Sequence, residues 1–221
     1  MDIAKIAIKN KNEYAIPKII HIKYDNLDKV PRSVWENLKN VANGYDIRIY
    51  NEENTIDYLL ENFGKLFVNI YKRIYRTNHK NDLFRYCVLF NEGGIFLDIK
   101  TYPKVSFSKI FNHITNNRLY TTLGNRPHIN ESILATYKQN IFIKTLIEDF
   151  ISAPDIIFLV PRPCSSGPNT NTDNYFTDKF YMHLTKHLGY HPSPGVHYLP
   201  ITNNNTRDTI VLFEERLEVR E

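Results

Sequence analysis

A chain of 221 residues and 26.1 kDa has room for one domain with elaborations or for two small ones. With 42% hydrophobic and 24% charged residues it has the composition of an ordinary globular protein, which excludes intrinsic disorder, collagen and coiled coil. The net charge of +4 is mild, and no stretch approaches the roughly 20 apolar residues of a membrane span.

The first ten residues alternate Ile and Lys without an apolar run, so no secretory signal is read there. Cys87 and Cys164 are too few and too far apart for a disulfide framework or a zinc site, and a reducing, cytoplasmic setting follows as the simpler expectation. The basic residues are scattered, and a nucleic-acid partner is not expected.

Lys18–Tyr24 reads as a buried first strand that begins after Pro17. Pro31 to Val41 carries Val34, Leu38 and Val41 at helical spacing, and Gly44 ends that helix. Tyr45–Tyr50 alternates like a second strand. Ile56, Leu59, Leu60 and Phe63 form a helical face closed by Gly64, and Phe67, Ile70, Tyr71 and Ile74 form another. Asn81 is the expected N-cap of a further helix running to about Asn91. Glu92-Gly93-Gly94 stops that helix, and Ile95–Asp98 is a short apolar strand. This alternation predicts an α/β domain with a largely parallel, helix-flanked sheet.

The second half is less regular. Arg118–Leu123 reads as a strand, and Ile141–Ile151 and Asp173–Leu188 read as helices. Val196–Leu199 and Thr209–Phe213 are short strand candidates, and Asn203–Thr206 is a turn or loop. With no repeat and no linker rich enough to divide it, the chain is expected to be a single domain over 1–221.

The segment from Asn81 to Asp98 is the most informative for chemistry. Asp82 and Arg85 lie three apart, hence on one helix face, and a helix capped by Asn81 would hold them in its first turn. The glycines allow a sharp turn, and the apolar strand then delivers Asp98 to its carboxyl tip, the side on which open α/β sheets bind ligands. One strand-tip carboxylate and an Asp/Arg pair could thus converge on a polyhydroxylated ligand. An ordinary ion pair and a strand-ending aspartate is the other reading of the same residues.

Three blocks, Ile16-Pro-Lys-Ile-Ile-His21, Asn81-Asp-Leu-Phe-Arg-Tyr86 and Gly93-Gly-Ile-Phe-Leu-Asp98, resemble the DXD-containing sugar transferases. That family includes the yeast Och1-type mannosyltransferases (glycosyltransferase family 32-like) and is related to the glucosylating domains of the large clostridial toxins. The resemblance covers roughly residues 16–105, with weaker echoes at Asn130-Glu131-Ser132 and Ser166-Gly167-Pro168. It implies a GT-A-type three-layer α/β domain with a central mixed, mostly parallel sheet. It also implies a nucleoside-diphosphate-sugar donor (a UDP-sugar favoured), retention of anomeric configuration, and a glycan or protein acceptor.

On that resemblance Tyr24 would stack on the base, and Asp82 and Arg85 would hydrogen-bond the donor sugar. Asp98, the first aspartate of the motif, would contact the ribose, the sugar or a metal. Asn130, with Glu131 beside it, would lie near the anomeric carbon, and Ser166 and Gly167 would bring backbone N–H groups toward the phosphates. His21 reads as a buried scaffold residue and Cys87 as core.

One position departs from the family pattern: the second acid of the motif is Lys100, so it reads Asp98-Ile99-Lys100. Three consequences stay open. Lys100 supplies the positive charge itself; or Mn²⁺ or Mg²⁺ is held by Asp98, the diphosphate and a ligand from the C-terminal half, with His191 and His197 as candidates; or Lys100 points away and the site is silent. A catalytically silent nucleotide-sugar or glycan-binding module is therefore the competing reading to a glycosyltransferase.

Overall fold

The computed structural model of the chain describes residues 15–111, 119–123, 129–153, 196–199 and 213–215. Strand β1 (Ile19–Lys23) is flanked by β2 (Asp46–Tyr50) and β3 (Gly94–Leu97), both parallel to it. These are the three neighbouring strands predicted from the apolar runs. The described sheet continues through β6 (Ile129–Thr136), β5 (Leu119–Leu123) and β7 (Val196–Leu199), in the order β2-β1-β3-β6-β5-β7. Only β6 runs against the others, since it pairs antiparallel with both β3 and β5 while β7 lies parallel to β5. A short β4 (Thr101–Pro103) pairs antiparallel with β8 (Phe213–Glu215) outside that sheet.

Helix α1 (Arg32–Val41) buries Val34, Leu38 and Val41, and Pro31 takes the N-cap position rather than the first turn. Helix α2 (Glu52–Phe63) starts four residues before its first predicted apolar position, because Asn51 and Asn54 cap each other reciprocally. Helix α3 (Lys65–Arg73) follows Gly64. Helix α4 (Thr77–Glu92) is buried continuously from Leu83 to Leu89. Helices α5 (Phe107–Phe111) and α6 (Ile141–Ser152) complete the described set.

Alternation along the strands divides the core between the two faces of the sheet. Ile20, Ile22, Ile95, Leu97, Ile133 and Ala135 meet α1 and Phe107 on one face. Phe96 and Leu134 meet α2, α3, α4 and α6 on the other. The result is the mixed, helix-flanked three-layer arrangement that the resemblance implied. No described helix is long and apolar enough to cross a membrane.

Several expectations shift. The helix predicted to start at Asn81 begins one turn earlier, at Thr77, with extended Arg76 as its N-cap. Asn81 is a cap-type residue used inside a helix, where burial of His79 before it and of Leu83 after it outweighs its local preference. Of the strand expected at Thr209–Phe213, Phe213 opens β8 (Phe213–Glu215), and residues 209–212 lie outside the described residues. Strands β4 and β6 were not predicted. The helix expected over Asp173–Leu188 and the loop at Asn203–Thr206 lie outside the described residues.

Candidate active site

The backbone turn after α4 sets the geometry. Gly93 (φ 70°) and Gly94 (φ 98°) both adopt left-handed backbone. A Cβ on Gly93 would lie 2.6 Å from the Lys138 backbone nitrogen, and one on Gly94 would lie 2.6 Å from the Ile19 carbonyl oxygen. Only glycine lets β3 leave α4 this abruptly and lie directly against β1. His21 braces the turn: Nδ1 bonds the Tyr50 hydroxyl at 3.2 Å and Nε2 bonds the Gly93 carbonyl at 3.0 Å. Burial pushes this imidazole down to about 4. It is a neutral scaffold residue, as its place in an apolar strand suggested.

A cleft of about 220 Å³ opens where β1 and β3 end and α4 begins. The β1 tip contributes Lys23, Tyr24, Asp25 and Asn26, the β3 tip contributes Asp98 and Lys100, and α4 contributes Thr77, Asn78 and Asn81. This is the crevice beyond the carboxyl ends of parallel strands, walled on one side by the positive end of a helix dipole. The buried Oδ1 of Asn81 accepts no hydrogen bond from the described residues. A buried acceptor left without a donor costs about 1–3 kcal/mol, so a ligand donor or a water is expected to satisfy it.

Asp98 follows β3 directly. Its backbone N–H donates to the Ser132 carbonyl at 2.8 Å, and its carbonyl accepts from the Thr101 N–H at 2.9 Å. Its Oδ1 accepts from the Lys100 N–H at 2.9 Å, which leaves Oδ2 as the second acceptor of a fixed carboxylate. The same turn presents Lys100 on the cleft wall. Tyr24 is anchored by its N–H to the Tyr50 carbonyl, with its ring partly buried against the core. Three sequence-predicted residues, Tyr24, Asp98 and Lys100, therefore meet in one cleft.

Asp82 and Arg85 do form a pair at 3.2 Å, but Arg85 is buried and its guanidinium sits 5.0 Å from the Phe96 ring centre. With α4 starting at Thr77, Asp82 is its sixth residue, so the first-turn placement is corrected. Neither side chain is among the described residues lining the cleft; Arg85 stands one helical turn below Asn81. Asn130 lies in β6 opposite Thr122, next to Glu131, and His197 lies in β7 opposite Tyr120. Ser166, Gly167 and His191 fall outside the described residues. Cys87 is fully buried, and burial pushes its thiol well up.

Sequence reasoning missed a polar network behind the cleft. The Lys23 ammonium lies 3.2 Å from both Asp25 carboxylate oxygens and 3.6 Å from Glu52. Glu52 in turn accepts from the Tyr71 hydroxyl at 2.6 Å and from Lys80 at 2.7 Å. Burial alone would push the Glu52 carboxyl up, but the Lys80 and Tyr71 hydrogen bonds with the lysine charges hold it below its ordinary range. The only trace of this network in the sequence is a lysine ending a strand that is otherwise Ile-Ile-His-Ile.

The donor set for a metal is poor. Among the described residues no three His, Cys, Asp or Glu side chains come together to hold an ion. At the motif itself one carboxylate oxygen is already engaged and a lysine stands where a second acid would. These residues do not fit a divalent cation.

The class that the sequence match indicates is the DXD-type glycosyltransferases. Residues 29–119 match the family described as "Glycosyltransferase sugar-binding region containing DXD motif". That region includes Asp82, Arg85, Asp98 and Lys100; Tyr24, Asn130, Ser166 and Gly167 lie outside it.

Among solved structures the chain is similar to the PaToxG glycosyltransferase, at 16% identity over 78% of this chain and 70% of that one, with a TM-score of 0.49. It is similar to the UDP-bound glycosyltransferase domain of the YGT toxin at 14% identity, covering 66% of this chain and 41% of that one, TM-score 0.37. It is also similar to the apo form of GlyE of Streptococcus pneumoniae TIGR4, at 10% identity over 77% and 44%, TM-score 0.37. No curated protein sequence matches the chain significantly.

Proposed function

We propose that this chain, acting as a single cytoplasmic domain over 1–221, transfers a hexose from a nucleoside-diphosphate sugar to a hydroxyl of a glycan or protein, with retention of configuration. A UDP-sugar is the favoured donor. The observation that carries the reading is the convergence of an aromatic ring (Tyr24), a fixed carboxylate (Asp98) and a cation (Lys100) in one cleft beyond the strand tips. A nucleotide sugar needs those three chemistries: a surface for the base, acceptors for vicinal hydroxyls, and positive charge for the diphosphate.

In the reaction the bond from the anomeric carbon to the diphosphate oxygen breaks, and that oxygen keeps the electron pair. The acceptor oxygen bonds the same face of the carbon, and its proton passes to the departing diphosphate. Asp98 holds ribose or sugar hydroxyls through Oδ2. Lys100 stabilises the charge that develops on the leaving group. Arg85, oriented by Asp82, supports the sugar subsite from below, and the resemblance assigns Asn130 to the anomeric carbon. Ser166 and Gly167 are assigned to the phosphates by the resemblance alone. The resemblance implies Mn²⁺ or Mg²⁺.

A second reading, a silent nucleotide-sugar or glycan-binding module, is favoured by the lysine at the motif's third position. Thermal-shift screening against UDP, GDP and CMP identifies the base. Donor hydrolysis, measured with Mn²⁺ and with chelator, then separates the readings: turnover supports transfer, and binding without turnover in either condition supports the module.

A further inference from the structure

Two lysines enter the cleft from neighbouring parallel strands. Lys100 is set by the Asp98–Thr101 turn at the end of β3. Lys23 closes β1, which pairs with β3 in the register Ile20–Ile95. Lys23 is among the residues that line the cleft, although its side chain is only 1% exposed. Burying an ammonium is costly unless it is compensated. Here Asp25 and Glu52 compensate it, and Tyr71 and Lys80 fix Glu52 from behind.

The compensation is incomplete in a useful way. An ammonium has three donors. Among the described residues Lys23 hydrogen-bonds a single carboxylate, that of Asp25, while Glu52 at 3.6 Å is an ion pair beyond hydrogen-bond distance. A donor therefore remains for an incoming anion, and Asp25, 39% exposed, is free to turn toward solvent or a ligand hydroxyl. Asp25 and Glu52 are thus engaged by lysine ammonium groups, and one oxygen of Asp98 by a backbone N–H.

We propose that Lys23 and Lys100 together supply the positive charge that meets the donor's diphosphate, so that binding of a nucleoside diphosphate needs no divalent cation. This rests on the nucleotide-sugar reading of the cleft. It adds Lys23, which the family motif does not include, as a diphosphate-binding residue.

Calorimetry on the full chain with UDP and GDP, and with uridine and guanosine, in EDTA and in Mn²⁺ tests it. The preferred diphosphate is expected to bind in EDTA within about threefold of its affinity in Mn²⁺. Lys100→Gln and Lys23→Gln should each weaken it in EDTA by about tenfold or more and leave the nucleoside unchanged. Lys100→Asp should make diphosphate binding Mn²⁺-dependent.

If Lys23→Gln unfolds, Lys23→Arg, which keeps the charge, must retain binding in EDTA, and its failure to do so in a folded protein overturns the role of Lys23. A wild type whose diphosphate affinity depends strongly on Mn²⁺ overturns the inference and leaves the nucleotide site standing. Binding of neither diphosphate in either condition overturns the functional reading itself.

Discussion

His21 and Lys23 stand two residues apart on the same face of β1, both buried and both polar, yet their surroundings differ in kind. The imidazole has protein on both nitrogens, Tyr50 on one and the Gly93 carbonyl on the other. Arg48 and Glu92 close that end of the network with an ion pair. The ammonium instead leans on two carboxylates that remain about two-fifths exposed, at the mouth of a cleft. A buried polar group closed on all sides specifies a fold, whereas one whose partners face solvent is placed to exchange them for a ligand. Substitutions should therefore separate the two regions, stability responding at the first and binding at the second.

The largest expected effect is at the closed end. In Gly94→Ala the new Cβ would sit 2.6 Å from the Ile19 carbonyl oxygen and 3.3 Å from His21 Nε2, on a residue held at φ 98°. Strain and clash together should cost on the order of 3–5 kcal/mol, read by urea denaturation. A loss below about 1 kcal/mol would mean that the β1–β3 approach is not as tight as described.

Acid should act at the same place. Unfolded, His21 takes up a proton below its ordinary value of 6.5; folded, burial holds it neutral down to about 4. Its stabilisation is therefore complete above pH 6.5 and is lost as pH falls toward 4. Burial and then the Arg76 charge lower His79 to about 4 as well, with the same sign. The loss for His21 should be roughly 2 kcal/mol between pH 7 and pH 4.5, read by denaturation at both, and His21→Leu should flatten the profile.

At the open end Asp98→Asn should leave the denaturation midpoint unchanged, because the Asn side-chain oxygen can still accept from the Lys100 N–H. Nucleotide-sugar affinity should fall about ten- to a hundredfold through loss of one charge-assisted contact, with transfer abolished. Wild-type turnover in this variant would remove Asp98 from the mechanism.

Arg85 tests the boundary between the regions. As an exposed helix pair with Asp82 it would contribute ~0.2–0.5 kcal/mol, but it is buried against Phe96. Arg85→Ala should therefore cost about 1–3 kcal/mol of stability, as well as affinity for the sugar moiety. Calorimetry with UDP-sugar and with UDP separates the two effects: loss on the sugar nucleotide alone marks a sugar contact, and equal loss on both marks distortion of α4.

Much of the closed region was legible, because apolar alternation in β1, β2 and β3 and the paired glycines are local signals. The start of α4 was not, since Asn81 carries a cap-like signal that burial of His79 before it and of Leu83 after it overrides. Strand β4 is only Thr101-Tyr102-Pro103 and exists through its pairing with Phe213–Glu215, far away in sequence. The polar Asn-Glu-Ser of β6 obscures a strand whose partners, β3 and β5, flank it in space. Tyr24, Asp98 and Lys100 were readable because each follows a legible strand. Lys23 was not, because its meaning lies in Glu52, Tyr71 and Lys80, which other elements bring to it.

The smallest expected effect is at Tyr24, and it sharpens the contrast most finely because the residue belongs to both regions. Its backbone N–H is part of the closed frame, bonded to the Tyr50 carbonyl, while its side chain faces the cleft and only partly packs on the core. A substitution keeps the backbone bond and changes only the ring. Tyr24→Phe preserves the stacking surface, so nucleotide affinity should stay within about twofold if the ring alone meets the base. Tyr24→Leu removes the π-face at similar bulk and should lose about 1 kcal/mol, or roughly fivefold, for uridine and UDP alike. Calorimetry with both ligands reads it. A loss confined to UDP would move Tyr24 from the base to the diphosphate, and a drop in thermal stability without loss of affinity would return the ring to the frame.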